Sequence, residues 1–181
     1  MKIHIQSAFG SLCVALCLAQ PASAQIERSA VGEVNASIDG ASYVGETLEV
    51  PSEGTSTAEF RSFGPVTSLT IQAHDPEAES VMSNVLSLEI SLMGTDPSAS
   101  IMETSASWWP DGMGEPFYHS EGSQTGVDIT LDTLSLEDGE PTIAGSFSAL
   151  LCRKESFFAE ADKNDCLPVE ASFDTILQKA D

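Results

Sequence analysis

Residues 86–92 read L-S-L-E-I-S-L: Leu86, Leu88, Ile90 and Leu92 take every second position, with Ser87, Glu89 and Ser91 between them. Successive side chains of an extended chain point to opposite faces, so this spacing makes one oily face and one wettable face. A helix would scatter the same four residues over opposed sides. The pattern returns along the chain. Thr67, Leu69, Ile71 and Ala73 share one parity, Val127, Ile129 and Leu131 another run, and Ile143, Gly145, Phe147, Ala149 and Leu151 close the series. Strands with one polar face are buried from one side only, which is the habit of antiparallel sheets.

Turn chemistry separates these runs: Asp39-Gly40, Ser52-Glu53-Gly54, Gly64-Pro65, Gly94-Thr95-Asp96-Pro97, Asp111-Gly112 and Asp138-Gly139. Asp and Gly tolerate the positive φ of tight reversals, and Pro presets a turn. About ten strands follow, over residues 31–39, 42–50, 56–62, 66–74, 84–93, 100–109, 116–121, 126–133, 141–151 and 167–176. Pro76 to Ser83 is the one stretch that reads as a short helix. Short strands at regular spacing predict an all-β fold, an antiparallel β-sandwich or else a closed, lipocalin-like β-barrel; periodicity does not separate the two.

The N-terminus reads as an export signal. Lys2 precedes an apolar run from Ala8 to Ala19, and Ala22-Ser23-Ala24 forms a small-residue cleavage site. The expectation is a signal peptide over 1–24 and a single β-domain over 25–181, residing in the periplasm or secreted. The apolar run is too short for a bilayer of about 30 Å, and no later run is long enough, so no membrane span is expected.

Lys and Arg number 7 against 28 Asp and Glu, a formal net charge of −21. Binding to phosphate backbones needs clustered cations, so nucleic acid is excluded as a partner. Two cysteines, Cys152 and Cys166, lie in the domain, and an even pair in an exported chain points to a disulfide closing a loop over 152–166. In the chain-entropy picture such a loop stabilises the fold by about 3 kcal/mol.

Ile38-Asp39-Gly40 followed by Tyr43, and Ile143-x-Gly145-x-Phe147-x-Ala149-x-Leu151 with Val169 and Phe173-Asp174, resemble a group of exported bacterial β-domains of unknown function. These recur as small periplasmic, surface or lipid-anchored proteins. The resemblance implies an antiparallel β fold and bacterial export; it implies no activity and supplies no catalytic residues.

Two patches carry candidate chemistry. The first is residues 107–120, S-W-W-P-D-G-M-G-E-P-F-Y-H-S. Alternation places Trp108 with Ala106 toward the core and Trp109 on the more polar face. An outward Trp109 with Asp111, Tyr118 and His119 would suit a peptide or sugar, aromatic faces stacking while acids and hydroxyls orient the ligand. The other possibility is that Trp109 covers a sheet end or packs against Phe117. The second patch is the 152–166 loop, which carries Arg153, Lys154 and Lys163 and the aromatic pair Phe157 and Phe158. Aromatics on a stapled loop suit a partner-binding tip, unless the rings fold back over the sandwich end. Glu160, Asp162, Asn164 and Asp165 raise calcium, although Asp165 and Ala171 stand where an EF-hand loop needs Gly and Glu.

Enzyme motifs are absent: no G-x-S-x-G, H-E-x-x-H, P-loop or G-x-G-x-x-G occurs. His74 and His119 are the histidines of the domain, far apart in sequence, and an enzyme would need them or nearby carboxylates gathered in a cleft. No catalytic residue and no cofactor are assigned. The expectation is an exported, non-catalytic domain that recognises a protein or glycan at the cell envelope. A small periplasmic hydrolase, a metal-binding protein and a structural envelope protein without a ligand are the alternatives.

Overall fold

The computed structural model describes residues 26–137 and 139–180. The expected signal peptide over 1–24 and Asp138 of the last predicted turn lie outside the described residues. Among the described residues twelve strands form: β1 (Ser29–Ile38), β2 (Ala41–Val50), β3 (Thr55–Ser56), β4 (Ala58–Phe63), β5 (Val66–His74), β6 (Val85–Met93), β7 (Ser100–Trp109), β8 (Phe117–His119), β9 (Asp128–Ser135), β10 (Thr142–Lys154), β11 (Asp162–Ile176) and β12 (Gln178–Lys179). The two beyond the predicted ten are the two-residue strands β3 and β12.

The fold is all-β and sandwich-like. One layer is β12-β4-β5-β6-β7 and the other β9-β10-β11-β1-β2-β3, and the pairing path runs from one to the other through β8. Every pairing is antiparallel except β12 with β4, which makes the whole sheet mixed. At the far corner Glu46 of β2 pairs with His74 of β5. Thr57 bridges the same corner, its N–H donating to the Leu48 carbonyl while the Gln72 N–H donates to its own carbonyl.

The inward faces meet in one core. Leu69, Ile71, Leu86, Leu88 and Ile90 come from the first layer, and Val34, Ile143, Phe147, Val169 and Phe173 from the second. Burial of apolar area at roughly 25 cal/mol per Å² is the term that holds the layers together. The polar positions between them, Ser68, Glu89, Ser146, Ser148 and Glu170, are half-buried or exposed. Gly145 is an inward glycine with a specific reason: a Cβ there would collide with the Thr130 carbonyl of β9 and approach the Phe173 ring.

Pro76 to Ser83 is not a helix. The Asp75 carboxylate accepts the Glu77 N–H, the Ser80 hydroxyl accepts the Met82 N–H, and Ser83 N–H donates back to the Ser80 carbonyl. Side chains that satisfy the local backbone in this way replace helical bonding with successive turns. Asn84 follows with φ of 53°. Its carbonyl accepts the Tyr43 hydroxyl, its amide donates to Asp75, and its side-chain oxygen accepts the Trp108 indole N–H at 2.8 Å. Burial pushes the Tyr43 phenol well above the ordinary tyrosine range, so it remains a neutral donor at this core end. No helix among the described residues is long and apolar enough to cross a membrane.

Candidate functional site

The register of five strands, β5, β6, β7, β8 and β10, builds a row across the outer face of the fold. His74 pairs with Val85, Val85 with Trp109, and Phe117 with Lys154. Trp108 pairs with Tyr118, so Trp109 and Phe117 fall side by side in the same row. Their rings stack at 4.0 Å between centroids and 9° between planes. Val85, Trp109 and Phe117 form a second small core with Met113 laid against it.

Trp109 therefore points outward, as alternation requires, but it is not exposed. Only 5% of its surface reaches solvent, and its indole N–H donates to the Ser107 hydroxyl at 2.9 Å. What covers it comes from distant sequence. Phe157, at the tip between β10 and β11, lies 5.3 Å from Trp109 and 5.1 Å from Phe117. Trp108, the predicted core residue, is half-buried, tilted against Tyr118 at 5.6 Å on the inner side. The expected constellation of Trp109, Asp111, Tyr118 and His119 is thus divided between faces. Tyr118 donates to Asp165 from the inner side, and burial followed by the Asp165 charge raises its phenol pKa. Asp111 is exposed, with no side-chain hydrogen bond among the described residues. His119 accepts the Glu121 N–H at Nδ1, and burial, reinforced by the Lys154 charge, keeps its imidazole below the ordinary histidine range.

Cys152 and Cys166 are joined. They are direct partners across β10 and β11, so the hairpin continues past the disulfide to the pair Arg153 and Asp162. The predicted loop over 152–166 shortens to residues 155–161. Lys163, Asn164 and Asp165 are the extra residues of an irregularity between the two pairs. At the tip the aromatic pair differs in contact: Phe157 leans onto the platform with 65% of its surface still in solvent, while Phe158 stands entirely in solvent.

Beneath the tip lies a feature that sequence reading missed. Lys154 is 7% exposed, and its ammonium donates to the Glu121 carboxylate at 3.1 Å. Glu121 itself is mostly in solvent, and the Lys154 hydrogen bond holds its carboxyl below the ordinary glutamate range. Around this pair opens a cleft of about 460 Å³ lined by Gly122, Phe158, Ala159, Glu160 and Lys163 as well. The signal was available: two residues beyond Cys152 on an extended strand, Lys154 must share its face.

The four calcium candidates do not converge. Asp162 is engaged by the backbone and side chain of Asn164. Asp165 faces Tyr118 and Arg153 instead, and Glu160 lines the cleft. Among the described residues no group of three or more His, Cys, Asp or Glu side chains is arranged to hold a metal ion. The two histidines are likewise apart. His119 pairs with Ser107, Ser107 with Ser87 and Ser87 with Gln72, so β6 and β7 intervene between His119 and the strand of His74. Three inter-strand steps amount to roughly 14 Å.

No family model, curated protein or solved structure matches the chain.

Proposed function

We propose that the protein is an exported, non-catalytic recognition domain that binds a partner protein at the cell envelope through Phe158 and the cleft beside it. The observation that carries this reading is the divided pair at the hairpin tip. Phe157 rests one side of its ring on the Trp109–Phe117 stack while 65% of its surface stays in solvent, and Phe158 is wholly exposed. Leaving a phenylalanine in water forgoes about 2 kcal/mol of burial, which a partner's pocket would recover. The tip is held from below by aromatic packing and from behind by the disulfide, so little conformational freedom is lost on binding. Gly122, Ala159 and Ala161 leave room beside Phe158 for an apolar side chain, and Glu121, Glu160 and Lys163 along the same cleft offer charges to the polar groups of a partner protein. The separation of His74 from His119 leaves the hydrolase alternative without a histidine pair, so it would have to draw acid and base from carboxylates.

The test compares wild type with Phe158→Ser. Proteins captured from envelope extract by wild type, and still captured after enzymatic deglycosylation of the extract, are identified, and the affinity of each is measured for both forms. A central aromatic anchor predicts a loss of about 30-fold or more in the variant, with an unchanged melting temperature. Equal affinity would remove the tip from the binding surface, and loss of capture on deglycosylation would transfer the reading to a glycan.

A further inference from the structure

β8 and β9 occupy successive stretches of the same edge of β10: Phe117, Tyr118 and His119 pair with Lys154, Arg153 and Cys152, and Asp128 to Ser135 pair with Ser148 to Thr142. On their other side only β8 is joined to β7, through Ser107 and Trp108. The Thr104 hydroxyl still reaches the Val127 carbonyl at 3.3 Å. Beyond that point β7 and β9 separate, and among the described residues no strand pairs with β9 other than β10. The corner between the two layers is therefore closed at the hairpin end and open along the lower half. Its rims are the unpaired edge of β9 and the start of β7.

The side chains at this open corner are mixed in character. Ile129 and Leu131 point inward from β9 and are only half-buried, and Ile101 and Met102 on β7 are 42% and 56% exposed. Asp128 and Asp132 are exposed on β9, Asp132 as the unpaired residue of a bulge, and Glu103 is exposed on β7. Backbone groups along an unpaired edge are a template for another extended chain.

We propose that this edge accepts a strand from a partner: an extended segment alternating apolar with basic residues, paired to β9. Its apolar residues cover Ile129, Leu131 and Met102, and its Lys or Arg residues meet Asp128, Asp132 and Glu103. Charge decides the occupant. A second copy of this chain would set the β9 acids against their own kind on a protein of net charge −21, and like charges directly opposite across a ladder are destabilising. The acids thus guard the edge against self-association while selecting a cationic strand. This surface is separate from the hairpin tip and does not depend on it.

The probe is an acetylated and amidated peptide of alternating Lys and Val, seven residues long, with a control peptide of identical composition in which the lysines and valines are segregated into two blocks. Amide hydrogen exchange is followed on the full domain. At about ten times its Kd the alternating peptide should slow exchange of β9 amides by roughly tenfold, because bound molecules do not exchange. Two variants carry the same added charge: Met102→Lys, which places a cation at the rim, and Thr70→Lys, on the outer face of β5 away from the corner. Selective loss of binding in Met102→Lys, with Phe158→Ser behaving as wild type, is the expected result. Equal binding of the two peptides, equal effects of the two variants, or peptide binding without protection of β9 would each overturn the proposal.

Discussion

Replacing Trp109 by alanine separates a core residue from a surface one. The indole is 5% exposed, stacked on Phe117 at 4.0 Å and covered by Phe157. Truncation removes its burial and leaves a cavity between two rings, a change that costs about 3 to 5 kcal/mol at buried Trp and Phe sites. The lost stack accounts for about 1 kcal/mol of that. In a domain of this size each kcal/mol lowers the melting temperature by about 2 to 4 °C, so a fall of about 10 °C or more is expected. Phe158→Ala is the paired control. That ring touches nothing it could lose, and the expected change lies within about 0.5 kcal/mol. Both variants are read by thermal melts followed with near-ultraviolet circular dichroism and by urea titration at constant slope. A Trp109→Ala melt within a degree or two of wild type would refute the buried platform, and with it the support proposed for the hairpin tip.

Two further outcomes follow from the same geometry. Cys152→Ser with Cys166→Ser, a pair 14 residues apart in sequence, should lower stability by about 3 kcal/mol in the chain-entropy model; an unchanged urea midpoint would show the hairpin to be held by pairing alone. Acid should destabilise the fold through two kinds of group. Glu121 has a depressed folded pKa, so the unfolded chain takes that proton first, and the stabilisation is full above the ordinary glutamate pKa and lost as pH falls through the folded value. His74 is held below the ordinary histidine range mainly by burial, so stability also declines as pH drops past the ordinary histidine pKa. Glu121→Gln should flatten the lower part of the pH–stability curve and His74→Phe the upper part; parallel curves would contradict both assignments.

Alternation made most of this fold legible, because a residue's parity on a strand is a local property. Leu69, Ile71, Leu88, Ile90, Ile143 and Phe147 are buried where period two places them, and Trp109 points to the face that its parity assigns. What parity does not carry is what lies over a face. Trp109 is hidden by Phe157, 48 positions later in the chain, through a contact that no window of sequence contains. The short helix expected over Pro76 to Ser83 does not form, for a different reason. Its composition permits helix, but Asp75 and Ser80 offer their side chains to the backbone first. The hairpin outran its predicted ends because Arg153, Lys154 and Asp162 are polar, and polar residues on paired strands look like loop when an unforeseen ion pair such as Lys154–Glu121 accommodates one of them.

Of the two neighbouring rings at the tip, Phe157 touches the platform and Phe158 does not, and nuclear Overhauser spectroscopy on protein with selectively labelled phenylalanine sees both at once. The prediction is strong cross-peaks from the Phe157 ring to the Trp109 indole and the Phe117 ring, with none from Phe158 to either. Cross-peaks from Phe158 to the indole, or none from Phe157, would contradict it.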